Sequence, residues 1–399
     1  MSKLQLKQLD IKNKKVLLRV DLNVPINEKG IITDDTRIKE SLASIQYILD
    51  HKGSIILMSH LGRPKGKPDP KLSLEPCAKA LALLLKRPVL MAKDCIGTSA
   101  QNLVAHLQSN QILLLENLRF DPAEENPSSN PEFAKKLAGF GDVYVNDAFG
   151  TAHREHSSTA TITKYFPGKS AMGFLMQKEI DSLNSLIQNP PRPFYAIIGG
   201  AKISSKLGVL KSLLKKVDGL FIAGGMAYTV LKAQGYQIGN SIYEEDKLKE
   251  ALQLIKNCQD QKLPLWLPVD ILIADNFFKD ANSKYIQVDQ GIPDGWEGMD
   301  IGTETIAIWK SVLSKAATIF WNGPLGVFEF PAFAKGTEAI ARCIASLKAL
   351  SVVGGGDSVA AINQLHLASS FSHVSTGGGA SLEYLEFGVL PGIDALSDN

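Results

Sequence analysis

Cysteine is scarce in this sequence. The four present in 399 residues (Cys77, Cys95, Cys258 and Cys343) lie far apart, with no Cys-x-x-Cys. That spacing argues against a disulfide framework or a zinc site and fits a reducing compartment. Neither sign of charge dominates, with 43 basic against 41 acidic residues, and no lysine–arginine run is dense. Nucleic acid is therefore not an expected partner. No apolar run approaches the roughly 20 residues needed to cross a bilayer, and the opening MSKLQLKQLDIKNKK lacks the apolar core of a signal peptide. A cytoplasmic location with no membrane partner is the expectation. Several motifs are missing too. Without G-x-x-x-x-G-K-[ST] the chain is not a P-loop enzyme, and without HRD or DFG it is not a protein kinase. No G-x-G-x-x-G opens the first βα unit, which argues against a dinucleotide dehydrogenase. No tandem repeat or low-complexity tract is present.

What is present is a length beyond one hydrophobic core. Cores stop growing near roughly 250–300 residues, so two domains are expected. Short apolar runs alternate with amphipathic stretches from end to end. They are Val16–Val20, Ile55–Ser59, Ile112–Leu115 and Val143–Val145 in the first half. In the second half they are Ala196–Ile198, Leu220–Ala223, Leu265–Leu267, Ile271–Ala274, Thr318–Trp321 and Ser351–Val353. Helical patterns such as Glu75–Leu85, Leu207–Val217 and Lys247–Cys258 separate most of them. This is the pattern of βα units, so the fold class is α/β with two mainly parallel sheets. Between the halves, Met176, Ile180, Leu183 and Ile187 share one helical face, and Pro190, Pro191 and Pro193 stop the helix. It is either an ordinary surface helix or a bridge between two lobes.

In open parallel sheets ligands bind beyond the carboxyl ends of the strands. The first-half runs lead into Asp21-Leu22-Asn23, His60-Leu61-Gly62-Arg63, Glu116-Asn117-Leu118-Arg119, and Asn146-Asp147 continuing to His153-Arg154. Arginine numbers only eight, yet six lie within the first 154 residues, and Arg63, Arg119 and Arg154 sit just past strand ends. Arg37 comes directly after the helix-start sequence Thr33-Asp34-Asp35-Thr36. The planar guanidinium fork matches carboxylate or phosphate oxygens bidentately. Any one of these could be a surface salt bridge. Four together suggest a lobe that holds a small, multiply anionic molecule by its side chains. His60 and His153 are equally compatible with structural roles.

Second-half strands lead instead into glycine: Gly199-Gly200-Ala201-Lys202, Gly224-Gly225, Asn322-Gly323-Pro324, Gly354-Gly355-Gly356-Asp357-Ser358 and Thr376-Gly377-Gly378-Gly379. Glycine lets backbone N–H groups approach a ligand, and a helix N-terminus favours phosphate. This half reads as a nucleotide lobe. Asp357 suits Mg²⁺, a helix N-cap, or both.

RVDLNVP, SHLGRP, LENLRF, NDAFGTAHR, GFLMQKEI, GGAKIS, AGGM, WNGPLGVFE, GGGDS and STGGGASLE stand in this order over nearly the whole length. The series resembles the phosphoglycerate kinase family. That resemblance implies two Rossmann-like three-layer lobes, joined by an interdomain helix at 172–190. Residues 1–171 plus about 385–399 would bind phosphoglycerate, and 191–384 the nucleotide. It implies a glycolytic kinase, a monomer, moving a phosphoryl group from 1,3-bisphosphoglycerate to MgADP to give 3-phosphoglycerate and MgATP. By motif, Asp21, Leu22, Asn23, Arg37, His60, Leu61, Gly62, Arg63, Arg119 and Arg154 would contact the acid. Gly200, Ala201, Lys202, Lys206, Gly224, Gly225, Asn322, Pro324, Glu329, Gly355, Gly356, Asp357 and Ser358 would surround ADP or ATP, with Asp357 on Mg²⁺. Arg37, Lys202 and the main chain at Gly356 and Gly378 would stabilise the travelling group. No general base is needed, because the attacking oxygen is already ionised. Acid and nucleotide on different lobes would require hinge closure. Ser205, Asn276, Thr303 and Glu304 depart from the family's common pattern. Two rival readings are a non-catalytic nucleotide or sugar-phosphate binding protein and a kinase for another acyl phosphate. The first predicts loss of Lys202, Arg37 or Asp357, all present, and the second does not account for four arginines.

Overall fold

In the computed structural model, which describes residues 2–399, most of the apolar runs become short strands buried along their length. The chain divides into two units, Met1–Asp181 with Phe387–Asn399, and Ser182–Glu386. In the first unit β1 (Lys15–Arg19), β2 (Ser54–Met58), β3 (Val89–Met91), β4 (Ile112–Leu114), β5 (Val143–Asn146) and β6 (Ser170–Met172) form one sheet. Its order is β3-β4-β2-β1-β5-β6, and every pairing is parallel. All five residues of β2 are buried, because crossover helices cover both faces of such a sheet. Ile45 and Ile48 of the Thr36–Asp50 helix and Leu81 of the Glu75–Leu85 helix pack with Val16, Leu18, Ile55 and Leu57 in its core.

The second unit repeats the plan. Its strands are β7 (Phe194–Ile198), β8 (Gly219–Ile222), β9 (Leu265–Trp266), β10 (Asp270–Ala274), β11 (Ser283–Gln287), β12 (Glu297–Ile301), β13 (Thr318–Asn322), β14 (Leu350–Gly354) and β15 (His373–Val374). Six of them form a parallel sheet in the order β15-β14-β13-β7-β8-β9. The remaining three form a separate antiparallel sheet, β11-β10-β12. The run Ile271–Ala274 thus belongs to this third sheet and not to a parallel one. Periodicity does not reveal it, because β11 is nearly all exposed and carries no apolar run.

The linking helix spans Phe174–Ile187, and the boundary between the units falls inside it. Met176, Ile180 and Leu183 are buried as their spacing predicts, but Leu186 is buried where Ile187 was expected. A 3.6-residue turn lets the buried stripe drift by one position over its length. The helix start is fixed to the first unit: the Phe174 amide donates to Ser44 Oγ at 2.9 Å and the Met176 amide to Asp147 Oδ1 at 3.0 Å. Burial raises the Asp147 carboxyl to about 6, against the pull of hydrogen bonds from the Ser44 side chain and the Met176 and Leu175 amides.

The chain end returns to its beginning. Leu4 N donates to Ser397 O (2.8 Å), Ser397 N to Ser170 O (3.1 Å) and Gly392 N to Ala152 O (2.8 Å), while Leu390 and Leu396 are buried. Both termini therefore complete the first unit's edge at β6.

Candidate active site

In the first unit, adjacent strands β2, β1 and β5 deliver their following residues to one edge. Just past β1, Asp21 is buried and pairs with Arg37 at the start of the Thr36–Asp50 helix. That start is set by Asp34, whose Oδ1 accepts from the Thr36 amide (2.9 Å) and hydroxyl (2.6 Å). The loops after β1 and β2 are tied together. Leu22 N donates to Ser59 Oγ (2.8 Å), and Gly62 N donates to Asn23 Oδ1 (2.9 Å). Behind them Asn117 donates to the carbonyls of Leu61 (2.7 Å) and Leu72 (2.8 Å).

Arg119 is held in place: Nη1 donates to Gly62 O at 2.9 Å, and Nε lies 3.1 Å from a Glu125 oxygen. Arg63 and Arg154 are exposed and make no ion pair among the described residues. His60 is buried, and burial together with the charges of Arg19, Arg119 and Arg37 holds its imidazole well below the usual range. His153 is likewise pushed down to about 4 by burial and by Arg154. The sequence reading missed Arg19, which is fully buried at the end of β1 with Nη2 3.2 Å from His60 Nδ1. Its position in RVDLNVP was the available signal, but an arginine inside a strand reads as an outward-facing residue.

In the second unit the four adjacent strands β14, β13, β7 and β8 all end in glycine turns, and the turns bond to one another. Gly199 N donates to Asn322 O (2.8 Å), Gly200 N to Pro324 O (3.1 Å), and Gly224 N to Leu325 O (3.1 Å). They border a cavity of about 380 Å³. Of the residues named from the sequence, Gly200, Ala201, Gly224, Gly225, Pro324, Glu329 and Asp357 line it. Lys206, Asn322 and Ser358 form an adjoining cluster. Lys206 Nζ donates to Asn322 Oδ1, Asn322 Nδ2 donates to Gly354 O at 2.7 Å, and Gly323 N donates to Ser358 Oγ at 2.5 Å. Burial lowers the Lys206 amine to about 8, with Asp357 opposing. The Gly356–Gln364 helix starts after Gly355, at φ +95°, with no side-chain cap. Its first-turn amides are therefore left for an anion. Lys202 is exposed on the loop after β7, outside the cavity wall, and Gly378 sits at φ +56° before the Gly379–Phe387 helix.

The rest of the wall was missed. Ile242, Phe277, Met299 and Val327 give it an apolar slot, with Tyr228, Glu297 and Gly298 beside them. Glu297, Gly298 and Met299 come from β12, and Phe277 lies just past β10, so the antiparallel sheet builds this side. Val327 had a sequence signal, lying with the lining residue Gly326 inside WNGPLGVFE. Ser205, Asn276, Thr303 and Glu304 do not line the cavity, although Asn276 adjoins Phe277. Among the described residues no group of three or more His, Cys, Asp or Glu side chains is placed to hold a metal. Asp357 offers a single exposed carboxylate, which fits a cation that takes its other oxygens from phosphate and water.

A family model described as phosphoglycerate kinase matches residues 6–387. The chain is 51% identical over 398 residues to the phosphoglycerate kinase of Moorella thermoacetica, with 100% of both chains covered. It is 52% identical over 396 residues to the cytosolic phosphoglycerate kinase of Nicotiana tabacum, with 98% of each covered. Among solved structures, phosphoglycerate kinase from Coxiella burnetii matches with a TM-score of 0.87 at 39% identity. The enzyme from Pyrococcus horikoshii matches at 0.86 and 32% identity, and in both cases 98% of each chain is covered.

Gly224 tests the cavity wall. It sits at φ +67°, and an added Cβ would lie 2.7 Å from Gly200 N and 2.8 Å from Gly200 O. With ψ at −164° this is an extended positive-φ backbone used essentially only by glycine, and it costs another residue roughly 1–3 kcal/mol. Gly224→Ala should lose at least that much in urea unfolding, and an alanine variant as stable as its parent would contradict this geometry.

Proposed function

The chain belongs to the phosphoglycerate kinase family, and from that premise we propose how its two units divide the work. The reaction is reversible phosphoryl transfer between 1,3-bisphosphoglycerate and ADP, giving 3-phosphoglycerate and ATP in glycolysis. The unit Met1–Asp181 with Phe387–Asn399 takes the acid, and Ser182–Glu386 takes the nucleotide. The observation that carries this reading is the contrast between the two strand edges, arginine side chains on one and bare main chain on the other. Arg63 and Arg154 are cations without an ion-pair partner among the described residues, so an acid bearing phosphate and carboxylate supplies the missing counter-charge. In the other unit the apolar slot of Ile242, Phe277, Met299 and Val327 suits a flat purine, while glycine amides and the Gly356–Gln364 helix start suit phosphates.

The attacking oxygen is an anion, so the protein need only align the reactants and neutralise charge on the moving group. Arg37 and Lys202 side chains and the amides at Gly356 and Gly378 are assigned to that task. Mg²⁺ on the nucleotide phosphates, with Asp357 as its protein ligand, would supply further neutralisation when bound. A hydrogen bond to a charged group contributes roughly 1.5–3 kcal/mol, and each 1.36 kcal/mol is tenfold in rate. Arg37→Ala should therefore lower kcat by roughly ten- to a hundredfold or more in an assay coupling ATP formation to 1,3-bisphosphoglycerate and ADP. A near-normal kcat would take Arg37 out of the catalytic set.

Lys206 gives a pH test. Its amine is charged below about 8 and neutral above it, and phosphate binds the charged form. The KM for ATP should rise as pH climbs through about 8, and Lys206→Gln should give a higher but flat profile. A level wild-type profile across that range would exclude Lys206 from phosphate binding.

With acid and nucleotide on separate units, transfer requires the units to bring their ligands together, hinging about the Phe174–Ile187 helix. Small-angle scattering should show compaction only when both substrates are bound. An unaltered envelope speaks against closure. The same curves give the mass, which for the expected monomer is 43.3 kDa. A cytoplasmic location is supported by the tobacco relative's cytosolic name. Among the described residues no helix is long and apolar enough to cross a membrane.

A further inference from the structure

Beneath the arginine-bearing edge lies a chain of buried polar groups that no ligand can reach. Arg19, Ser158 and Glu124 are each 0% exposed. The Arg19 guanidinium donates from Nε to Ser158 Oγ at 2.9 Å and from Nη1 to the Val20 carbonyl, and its Nη2 lies 3.2 Å from His60 Nδ1. Ser158 passes the connection on: its hydroxyl donates to Glu124 Oε1 at 2.6 Å and its amide to Glu124 Oε2 at 3.1 Å.

The directions of these bonds are set by chemistry. Guanidinium nitrogens only donate. Ser158 Oγ must therefore accept from Arg19, which leaves its proton for Glu124. By the same rule His60 Nδ1 must accept, so the ring proton resides on Nε2. An imidazolium would turn an N–H toward the guanidinium, and burial and the surrounding arginine charges already disfavour it. The buried Arg19 charge is itself costly unless matched. Glu124 matches it, although burial pushes that carboxyl up to about 7 against the pull of Arg19 and Ser158. His156 Nδ1 stands 3.9 Å from Glu124 Oε1, too far for a hydrogen bond, and has no other partner among the described residues.

We propose that Glu124 and Ser158 are positioning residues for acid binding: acting through Arg19, they fix His60 as the neutral Nε2–H tautomer, a hydrogen-bond donor that can take no proton at Nδ1. The inference rests on the reading that His60 contacts the acid, and the test separates the two. The primary measurement is a long-range ¹H–¹⁵N correlation spectrum of the ligand-free ¹⁵N-labelled enzyme, with His60 assigned by its loss in His60→Gln. His60 should show a bare Nδ1 and a protonated Nε2 near neutral pH. In Glu124→Gln and in Ser158→Ala the two nitrogens should move toward averaged or protonated values. The KM for 3-phosphoglycerate should then rise roughly five- to tenfold, the loss of about one hydrogen bond, with the KM for ATP unchanged within about twofold.

A proton on Nδ1 in the parent overturns the relay whatever the kinetics show. So does a His60 signal unmoved in folded variants. A moved signal with an unchanged KM for 3-phosphoglycerate also overturns the proposal, but through its premise: the relay would be real and His60 would lie outside the acid site. Should Glu124→Gln fail to fold, Ser158→Ala and the parent spectrum still decide the matter.

Discussion

Parallel pairing sends every strand of a sheet the same way, so all the carboxyl ends, and the loops that leave them, share one edge. Both units are built on this constraint. In the first, β2, β1 and β5 bring Asp21, Asn23, His60 and Asp147 to a single edge from positions up to 126 residues apart in sequence. In the second, β14, β13, β7 and β8 lie side by side and each leads into a glycine turn, so four turns become one surface of backbone. Antiparallel pairing of the same segments would scatter these loops to both ends of the sheet.

Anions are met differently on the two edges. The first unit concentrates guanidinium groups and offsets only some of them internally: Asp21 for Arg37, Glu125 for Arg119, and Glu124, through Ser158, for Arg19. Depressed titration of His60, His153 and His156 results from burial in that surplus of positive charge. The second unit relies on amide dipoles and on a helix start that no side chain caps. Its partly buried Lys206 is turned inward onto Asn322, which in turn bonds the Gly354 carbonyl, so strand ends, lysine and helix start form one connected support.

Much of the candidate site was legible because strand ends can be found without a structure. A run of buried β-forming residues stops, and the next few residues are those the edge displays. Asp21, His60, Arg119, Gly200, Gly224, Asn322 and Gly355 were all reached that way. Arg19 was not, since a charged residue within a strand gives no sign that it faces inward until its partners Ser158 and Glu124 are seen 139 and 105 positions away. The apolar side of the cavity was hidden for a related reason. It is carried by β10 and β12, joined antiparallel with the nearly exposed β11, and that hairpin's alternation is too weak to announce a sheet.

The sequence by itself determined the α/β class, the two-part organisation, the helix between the parts, and the contrast between arginine-bearing and glycine-bearing turns. These are local properties: periodicity, helix stops and loop composition are written into neighbouring residues. The return of the chain end to the first unit was already implied by the family resemblance, and the buried Leu390 and Leu396 show how it is held. Only the tertiary structure decided that a third sheet walls the cavity, and which side chains are spent on one another rather than left for a ligand. Those outcomes depend on contacts between residues far apart in the chain, where burial sets the cost of every unpaired charge and pairing is decided by what folding brings near.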